Sequence, residues 1–179
     1  MARFPYPDAD AASPPVREVL EQIPPLNIFR MMANADSAFV PWLRWGGALL
    51  TDLELPADLR EIAILRVARL TPGAEYEWVQ HEAIARSVGV SEAQVAALAR
   101  NEPEDDSFNE REKIVLRFTS EVVTDARPSE RVLEQAKGEL SAREIVELLM
   151  VIGQYMLVGR VMATTEIEMD EPVAEDLTG

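Results

Sequence analysis

The chain contains one histidine, His81, and no cysteine. Histidine is the side chain whose charge ordinarily changes between about pH 5 and 8, so His81 is the natural candidate for a proton donor or acceptor. Without cysteine the chain has no thiol redox chemistry, no disulfide and no thiolate metal ligand. The chemistry that the sequence predicts is therefore proton transfer at His81.

Glu77 lies one turn before His81, on a segment that is predicted to form a buried helix. At about 100° per residue, one face of the segment consists of Glu77, Trp78, His81, Ile84, Ala85 and Val88. A carboxylate on an apolar face is unfavourable unless it is paired. Side chains four residues apart on a helix are in contact range, so we expect Glu77 and His81 to interact.

A second carboxylate, Glu61, lies on the apolar face of the preceding predicted helix, a face that it shares with Ile64, Leu65 and Ala68. The tight Thr71-Pro72-Gly73 connection makes the two helices neighbours in space. Glu61 and His81 could therefore converge, and the acidic partner of the imidazole could be either Glu61 or Glu77.

Each of these residues also has a purely structural alternative. A buried histidine is often a hydrogen-bonded core residue, and Glu61 could serve as the ion-pair partner of an arginine. Glu77 could be a first-turn charge that the helix dipole favours. One histidine and two carboxylates could also hold iron or manganese, but no recognised ligand motif surrounds these residues and we expect no metal.

The composition limits the class of protein. A chain of 179 residues that is 47% apolar and 27% charged is long enough for one globular domain with a sizeable core. The net charge of −15 would repel phosphate backbones and anionic lipids, so we expect neither nucleic acid nor a membrane as a partner. The N-terminus lacks an apolar signal segment, and the stretch from Ile145 to Val158 looks too short and too polar to span a bilayer, so we expect a cytoplasmic protein.

The sequence predicts an all-α bundle of seven or eight helices, because no segment alternates with the period of a strand. Residues 1–25 are rich in proline and are predicted to form an extended leader, residues 26–169 the single helical domain, and residues 170–179 an acidic tail. Capping boxes are predicted at Ser91, Ser107 and Ser141. The final helix is apolar almost all round, which favours burial in the core or in a subunit interface.

Several of these features together resemble the carboxymuconolactone decarboxylase family of the alkylhydroperoxidase D-like superfamily. They are Arg60-Glu61 before an apolar helix, Glu75-Tyr76-Glu77-Trp78 with His81, then Gly89 and Ser91, and a last helix with Gly153, Tyr155 and Arg160. The resemblance covers about residues 37–168. It implies an alkylhydroperoxidase D-like helical fold that assembles with copies of itself into homotrimers or homohexamers.

The resemblance also points to one branch of the superfamily. Alkylhydroperoxidase D-type members carry Cys-x-x-Cys followed four residues later by histidine, and here the two cysteine positions align with Ala74 and Glu77. The thiol couple is therefore missing, so thiol peroxidase activity is not expected and survives only as a family label. What remains resembles the decarboxylase branch, whose members act on a carboxylated unsaturated lactone without a cofactor.

Carried over residue by residue, the resemblance implies a catalytic set. His81 matches the family histidine, and Glu61 matches a glutamate implicated at the family site. We expect His81 to act as acid or base, with Glu61 or Glu77 setting its protonation state. The implied reaction is decarboxylation, or a related lyase or isomerase step, on a small carboxylated lactone or enol.

The candidate substrate contacts follow from the same comparison. Arg66 or Arg160 would hold a substrate carboxylate, and Trp78 and Tyr155 would contact the rest of the molecule, although Trp78 could instead be a packing group. The alternative function is a non-catalytic oligomer of the same fold that binds a small apolar ligand in the same pocket.

Overall fold

The computed structural model describes residues 2–8 and 12–170, and within these ranges the chain is all-helical, as predicted. Nine helices lie in this part of the chain, and eight of them have seven or more residues. In chain order they are α1 (Pro14–Leu20), α2 (Asn27–Met32), α3 (Asp36–Thr51), α4 (Ala57–Leu70), α5 (Glu75–Ser87), α6 (Glu92–Ala99), α7 (Glu110–Asp125), α8 (Glu130–Glu139) and α9 (Ala142–Thr165).

Helix α4 lies at the centre of the bundle, where it packs against α5, α7 and α9. All residues from Leu59 to Ala68 are buried. A helix that is buried on every side is ordinarily apolar, yet this stretch includes Arg60, Glu61 and Arg66. Charged side chains in such a position need ion-pair or hydrogen-bond partners. Their partners therefore determine what the centre of the bundle can do.

Two apolar clusters hold α4 in its place. The larger joins α4 to α7, α8 and α9 through side chains such as Ile64, Phe118, Val132 and Ile152. The smaller joins α4 to α5, α6 and α7, and includes Leu65 and Ala85. Because both clusters contain residues of α4, this helix cannot shift against its neighbours without exposing apolar surface, at about 25 cal/mol per Å².

The capping boxes confirm two of the three predicted helix starts, those at Ser91 and Ser141. The third box begins two residues later than predicted. Asn109 is the N-cap of α7, because its side chain accepts a hydrogen bond from the Glu112 amide while the Glu112 carboxylate accepts one from the Asn109 amide. Ser107 instead donates its amide hydrogen to the Asp105 carboxylate, within the preceding turn.

The prediction of an extended leader over residues 1–25 needs a correction, because Pro14–Leu20 form α1. Proline is compatible with the first turn of a helix, where its missing amide hydrogen would have no partner in any case. Val16 of α1 is buried against a small cluster that includes Phe39 of α3. The acidic tail was predicted for residues 170–179, and all but the first of these lie outside the described residues. The domain boundaries themselves remain predictions.

Helix α9 has the length and composition of a membrane span, and among the described residues it alone does so. With 24 residues it is longer than the apolar stretch from Ile145 to Val158. Half of its most apolar window is buried inside the bundle. Core helices of soluble proteins have the same property, so length and composition alone do not make α9 a membrane helix.

Gly73 makes the tight turn between α4 and α5 possible. Its φ is +82°, and a Cβ at this position would lie 2.9 Å from Ala163 Cβ of α9. Gly89 provides a matched control, since its φ is +102° but nothing lies within 4 Å of its Cβ position. Both positions favour glycine by conformation, but only Gly73 also needs the space.

We expect Gly73→Ala to lower the free energy of unfolding by about 3 kcal/mol and Gly89→Ala by about 1 kcal/mol, because both strain the backbone and only the first adds a clash. Urea unfolding of the two variants and the parent measures both values. Equal losses at the two positions would contradict the close approach of α9 to this turn.

Candidate active site

His81 lies on the wall of a cavity of about 330 Å³ that is enclosed by α2, α3, α5, α9 and the segment between α1 and α2. The wall is mainly apolar. The imidazole is 8% exposed, so it is buried and still accessible from the cavity. This position suits a group that must meet a small molecule away from bulk water.

Glu61 is the acidic partner of His81. The Nδ1 atom of the imidazole lies 2.8 Å from Oε2 of Glu61, and the glutamate is fully buried. A carboxylate at this distance favours the tautomer in which Nδ1 carries the hydrogen and donates it. Nε2 is then the ring nitrogen that remains for a bound molecule. The structure therefore decides between the two carboxylates that the sequence left open.

Arg60 holds the other oxygen of Glu61. Its Nε lies 2.9 Å from Oε1 of Glu61, and its side chain also donates a 2.6 Å hydrogen bond to the Leu50 carbonyl. Arg60 is 4% exposed, so the ion pair is shielded from water. Glu61 therefore has the arginine partner that its structural alternative predicted, and it contacts the imidazole as well. The result is a buried chain of three groups that ends at the cavity.

Glu77 also lines the cavity but has a different environment. It is 1% exposed, and neither of its carboxyl oxygens has a hydrogen-bond partner among the described residues. Burial raises the pKa of Glu77 well above its ordinary value. The neutral carboxylic acid is therefore favoured, and a neutral carboxyl group can donate a hydrogen bond. The predicted contact between Glu77 and His81 is not a hydrogen bond in the described residues, although both side chains line the same cavity.

Tyr155 packs its ring edge-to-face against His81, with 4.6 Å between ring centroids and 86° between ring planes. Such a contact restricts the orientation of the imidazole. Burial, together with the nearby Glu61 and Glu77, raises the pKa of Tyr155 well above its ordinary value. Its phenol therefore remains protonated and adds no charge to the cavity wall.

Three predicted substrate contacts lie elsewhere. Arg66 donates hydrogen bonds to the Ser120 hydroxyl and the Asn101 side chain, which tie α4 to α7 and to the end of α6. Arg160 is exposed and donates to the Met156 carbonyl one turn earlier. Trp78 packs against the smaller apolar cluster. Neither Arg66 nor Arg160 lines the cavity, and a role for either of them in holding a substrate carboxylate stays a prediction.

Sequence reasoning missed other cavity residues, chiefly Trp42, Gln80 and Gln154. The indole nitrogen of Trp42 is buried and has no hydrogen-bond partner among the described residues. Gln154 carried a usable signal, since it interrupts the longest apolar stretch of the chain. Trp42 carried none, because a tryptophan on an amphipathic helix is ordinarily a packing residue.

Asp170 holds in place a segment that lines one side of the cavity. This segment, the cover, consists of Leu26, Ile28 and Phe29, in and just before α2. The Asp170 carboxylate accepts hydrogen bonds from the Asn27 amide at 2.6 Å and from the Tyr76 hydroxyl. Burial and this carboxylate raise the pKa of Tyr76 above its ordinary value. The carboxylate thus joins the cover to α5.

The first residues of the chain reinforce the cover. The Ala2 amide and the Tyr6 hydroxyl both donate to the Glu168 carboxylate, and Arg3 donates its amide to the Thr165 carbonyl at 2.7 Å. Burial and the contact with Glu168 raise the pKa of Tyr6 to about 12. The Tyr6 ring also contacts the Arg30 guanidinium of α2, 4.3 Å from the ring centroid.

Within residues 2–8 and 12–170 no group of three histidine or carboxylate side chains is arranged to hold a metal ion. Glu61 is bonded to both Arg60 and His81, and neither oxygen of Glu77 has a hydrogen-bond partner among the described residues.

Comparison with known proteins supports the family resemblance. Residues 39–121 match the family model of the carboxymuconolactone decarboxylase family. No curated protein matches the sequence.

Solved structures support the fold. A structure from Ralstonia eutropha JMP134, described as an alkylhydroperoxidase AhpD core and an uncharacterized peroxidase-related protein, has a TM-score of 0.79 and 20% identity, and the match covers 94% of this chain and 92% of that chain. An uncharacterized peroxidase-related protein from Silicibacter sp. TM1040 has a TM-score of 0.80 and 17% identity, with 98% and 95% covered. At these identities the likeness shows the fold alone.

A third structure is that of a cysteine-to-alanine variant of the debrominase Bmp8 in complex with 2,3,4-tribromopyrrole. It has a TM-score of 0.67 and 21% identity, and the match covers 88% of this chain and 84% of that chain.

The two buried carboxyl groups allow a matched test. Glu61→Gln removes the charge that Arg60 needs, so we expect the free energy of unfolding to fall by about 3 kcal/mol. Glu77→Gln replaces a neutral acid by a neutral amide, so we expect little loss. Urea unfolding measures both, and an equal loss for Glu77→Gln would contradict the assignment of Glu77 as unpaired.

The same pair predicts a pH dependence. The pKa of Glu77 is raised in the folded state, so its contribution to stability is complete below the unfolded pKa of about 4.3 and is lost as the pH rises through the folded pKa. Glu77→Gln lacks this loss. We therefore expect the stability of Glu77→Gln relative to the parent to increase as the pH is raised above about 4.3, measured by urea unfolding across that range.

Proposed function

We propose that this chain, which resembles the carboxymuconolactone decarboxylase family and lacks the redox cysteines, is an enzyme that performs cofactor-independent acid–base chemistry on a small lactone or enol. The observation that carries the proposal is the 2.8 Å contact between a buried Glu61 and the Nδ1 atom of His81 at the cavity wall. The family match and the fold support an enzyme-like role in general. The reaction and the substrate are our proposal.

In the proposed mechanism, Nε2 of His81 is the general base. Glu61 accepts the Nδ1 hydrogen, which keeps the Nε2 lone pair directed at the substrate and stabilises the imidazolium that forms when Nε2 takes a proton. Arg60 holds the carboxylate from the other side, so the geometry does not relax when the imidazole changes charge. His81 then returns the proton to carbon as the general acid.

Glu77 would stabilise the intermediate. Removing a proton, or carbon dioxide, from a carbon next to an unsaturated carbonyl leaves an enolate whose negative charge lies largely on oxygen. A neutral carboxylic acid in a mainly apolar cavity is a strong hydrogen-bond donor to such an oxygen. Glu77 lines the cavity and neither of its oxygens has a partner among the described residues, which supports this role.

The names of proteins with similar structures bear on which reaction we propose. The debrominase variant was solved with a small ring compound, which supports a role for this fold in holding small rings. The peroxidase-related names do not transfer in the same way, because a thiol peroxidase needs cysteine and this chain has none.

The test of the proposal is His81→Gln. We expect turnover to fall at least about 100-fold, because glutamine cannot accept a proton at Nε2, while ligand affinity changes by no more than about threefold. Initial rates in a screen of lactones, enols and keto acids measure turnover, and calorimetry measures binding. Arg131→Gln, at an exposed position of α8, is the control and should match the parent.

Two results separate catalysis from simple binding. Loss of turnover with retained binding supports the enzyme. If the parent turns over none of the screened compounds and His81→Gln binds ligand as the parent does, the protein is a small-molecule binder of the same fold.

We also propose that the chain assembles with copies of itself, as a homotrimer or homohexamer. The proposal is supported by an exposed apolar stripe along α9 that consists of Val146, Leu149, Met150 and Leu157. Their spacing places them on one side of the helix, away from the buried side. An apolar stripe of this length on a surface is typical of a subunit interface.

Leu149→Glu places a charge in the middle of this stripe, and we expect it to shift the protein to monomers because the charge cannot be desolvated there. Light scattering coupled to gel filtration gives the molar mass. Lys137→Glu reverses a charge on the exposed side of α8, at the cost of a surface ion pair with Glu134, and should leave the mass unchanged. A monomeric parent would rule out the assembly.

A further inference from the structure

We infer that the cavity selects an uncharged ring molecule with a hydrogen-bond-accepting carbonyl edge, and excludes carboxylates. The inference deepens the proposed function, on which it rests for the identity of the binding site. It departs from the carboxylated substrate that the family resemblance implies.

The first observation is that the cavity wall offers no cation for a carboxylate. Neither arginine nor lysine lines it in the described part of the chain. The nearest arginine in the site, Arg60, already holds Glu61 and the Leu50 carbonyl. Among the lining side chains of the described residues His81 is the one that can become positive, and as the neutral base of the proposed mechanism it offers a carboxylate no charge. A carboxylate brought into this space would lose its hydration without gaining an ion pair.

The second observation is the orphaned acid at the base of the cavity. Glu77 is 1% exposed with both oxygens unpartnered. Opposite it, α9 presents Gly159, whose Cβ position lies 3.6 Å from Oε2 of Glu77, so no side chain of α9 reaches the acid from there. As a neutral acid Glu77 is a hydrogen-bond donor, and a carbonyl oxygen is an acceptor that it fits.

The third observation is a second donor on a different helix. The Trp42 indole nitrogen of α3 is buried beside the cavity and has no partner in the described protein. An indole N–H can only donate. Two residues with unpartnered donors, one on α3 and one on α5, thus line a cavity whose other walls include Leu26, Phe29 and Val158. A flat apolar ring with carbonyl or ring-oxygen acceptors satisfies both donors and the walls.

The reaction that fits such a substrate is a proton shift and not a decarboxylation. Nε2 of His81 removes a proton from the carbon beside the carbonyl, and the C–H electron pair becomes the C=C bond of an enolate while the carbonyl oxygen takes the negative charge. Glu77 donates a hydrogen bond to that oxygen. The imidazolium then returns its proton to the more distant carbon of the conjugated system. The double bond has moved, no atom is lost, and no oxidant or reductant is needed.

The experiment uses a matched pair of probes, an unsaturated five-membered lactone with a side-chain carboxylate and the same lactone with a primary carboxamide. Calorimetry with the full chain near neutral pH gives both affinities. We expect the carboxamide to bind at least about tenfold more tightly, because the carboxylate has no cation to meet. Equal affinity, tighter binding of the carboxylate, or binding of neither probe would overturn the inference.

A pair of tryptophan variants on α3 tests the donor. Trp42→Phe keeps the ring and removes the N–H, so we expect the carboxamide to bind about tenfold more weakly. Trp45→Phe, at a 41% exposed position of the same helix, is the matched control and should leave affinity unchanged. Equal affinities of Trp42→Phe and the parent would contradict the role of the indole.

These binding results are independent of turnover. A protein that prefers the carboxamide but converts no lactone, enol or keto acid would refute the proposed enzyme and leave the selectivity standing. A protein that prefers the carboxylate and loses turnover in His81→Gln would refute the selectivity and support the proposed enzyme.

Discussion

The carboxylate of Glu61 is shared between a guanidinium on one side and an imidazole on the other, and all three groups are withdrawn from water. An unpaired charge at this depth would be strongly unfavourable. The bundle therefore has to place α4 so that Arg60 and Glu61 meet, and α5 so that His81 closes the chain. The same requirement that stabilises the centre of the fold also fixes which ring nitrogen of His81 faces the cavity.

Glu61 and Glu77 show how position separates two identical side chains. Glu61 is paired on both oxygens. Glu77 lies one turn before His81 on α5 and has no partner among the described residues, and its burial raises its pKa. One carboxyl group is thus held as an anion that orients a base, while the other is favoured as an acid that donates. Two roles thus arise from one residue type, through position alone.

Much of the fold could be predicted from periodicity and capping, since amphipathic spacing and boxes such as that at Ser141 are local properties. The candidate site was predictable in part, because Glu61 and His81 are polar residues on otherwise apolar faces. The hydrogen-bond partners of Arg66 and Arg160 could not be predicted, because they depend on which other parts of the chain lie beside each arginine in the fold. Helix α1 was missed because proline is a helix start as well as a helix breaker.

The hydrogen bond from the Arg3 amide to the Thr165 carbonyl brings two distant parts of the chain side by side. Segments that meet in this way can be rejoined by a short peptide, with new termini opened at an exposed turn. The exposed turn at Glu102, between α6 and α7, is a suitable place. The resulting circular permutant would keep the bundle, and the first residues of the chain would be held beside the end of α9 by a covalent link in addition to the hydrogen bond.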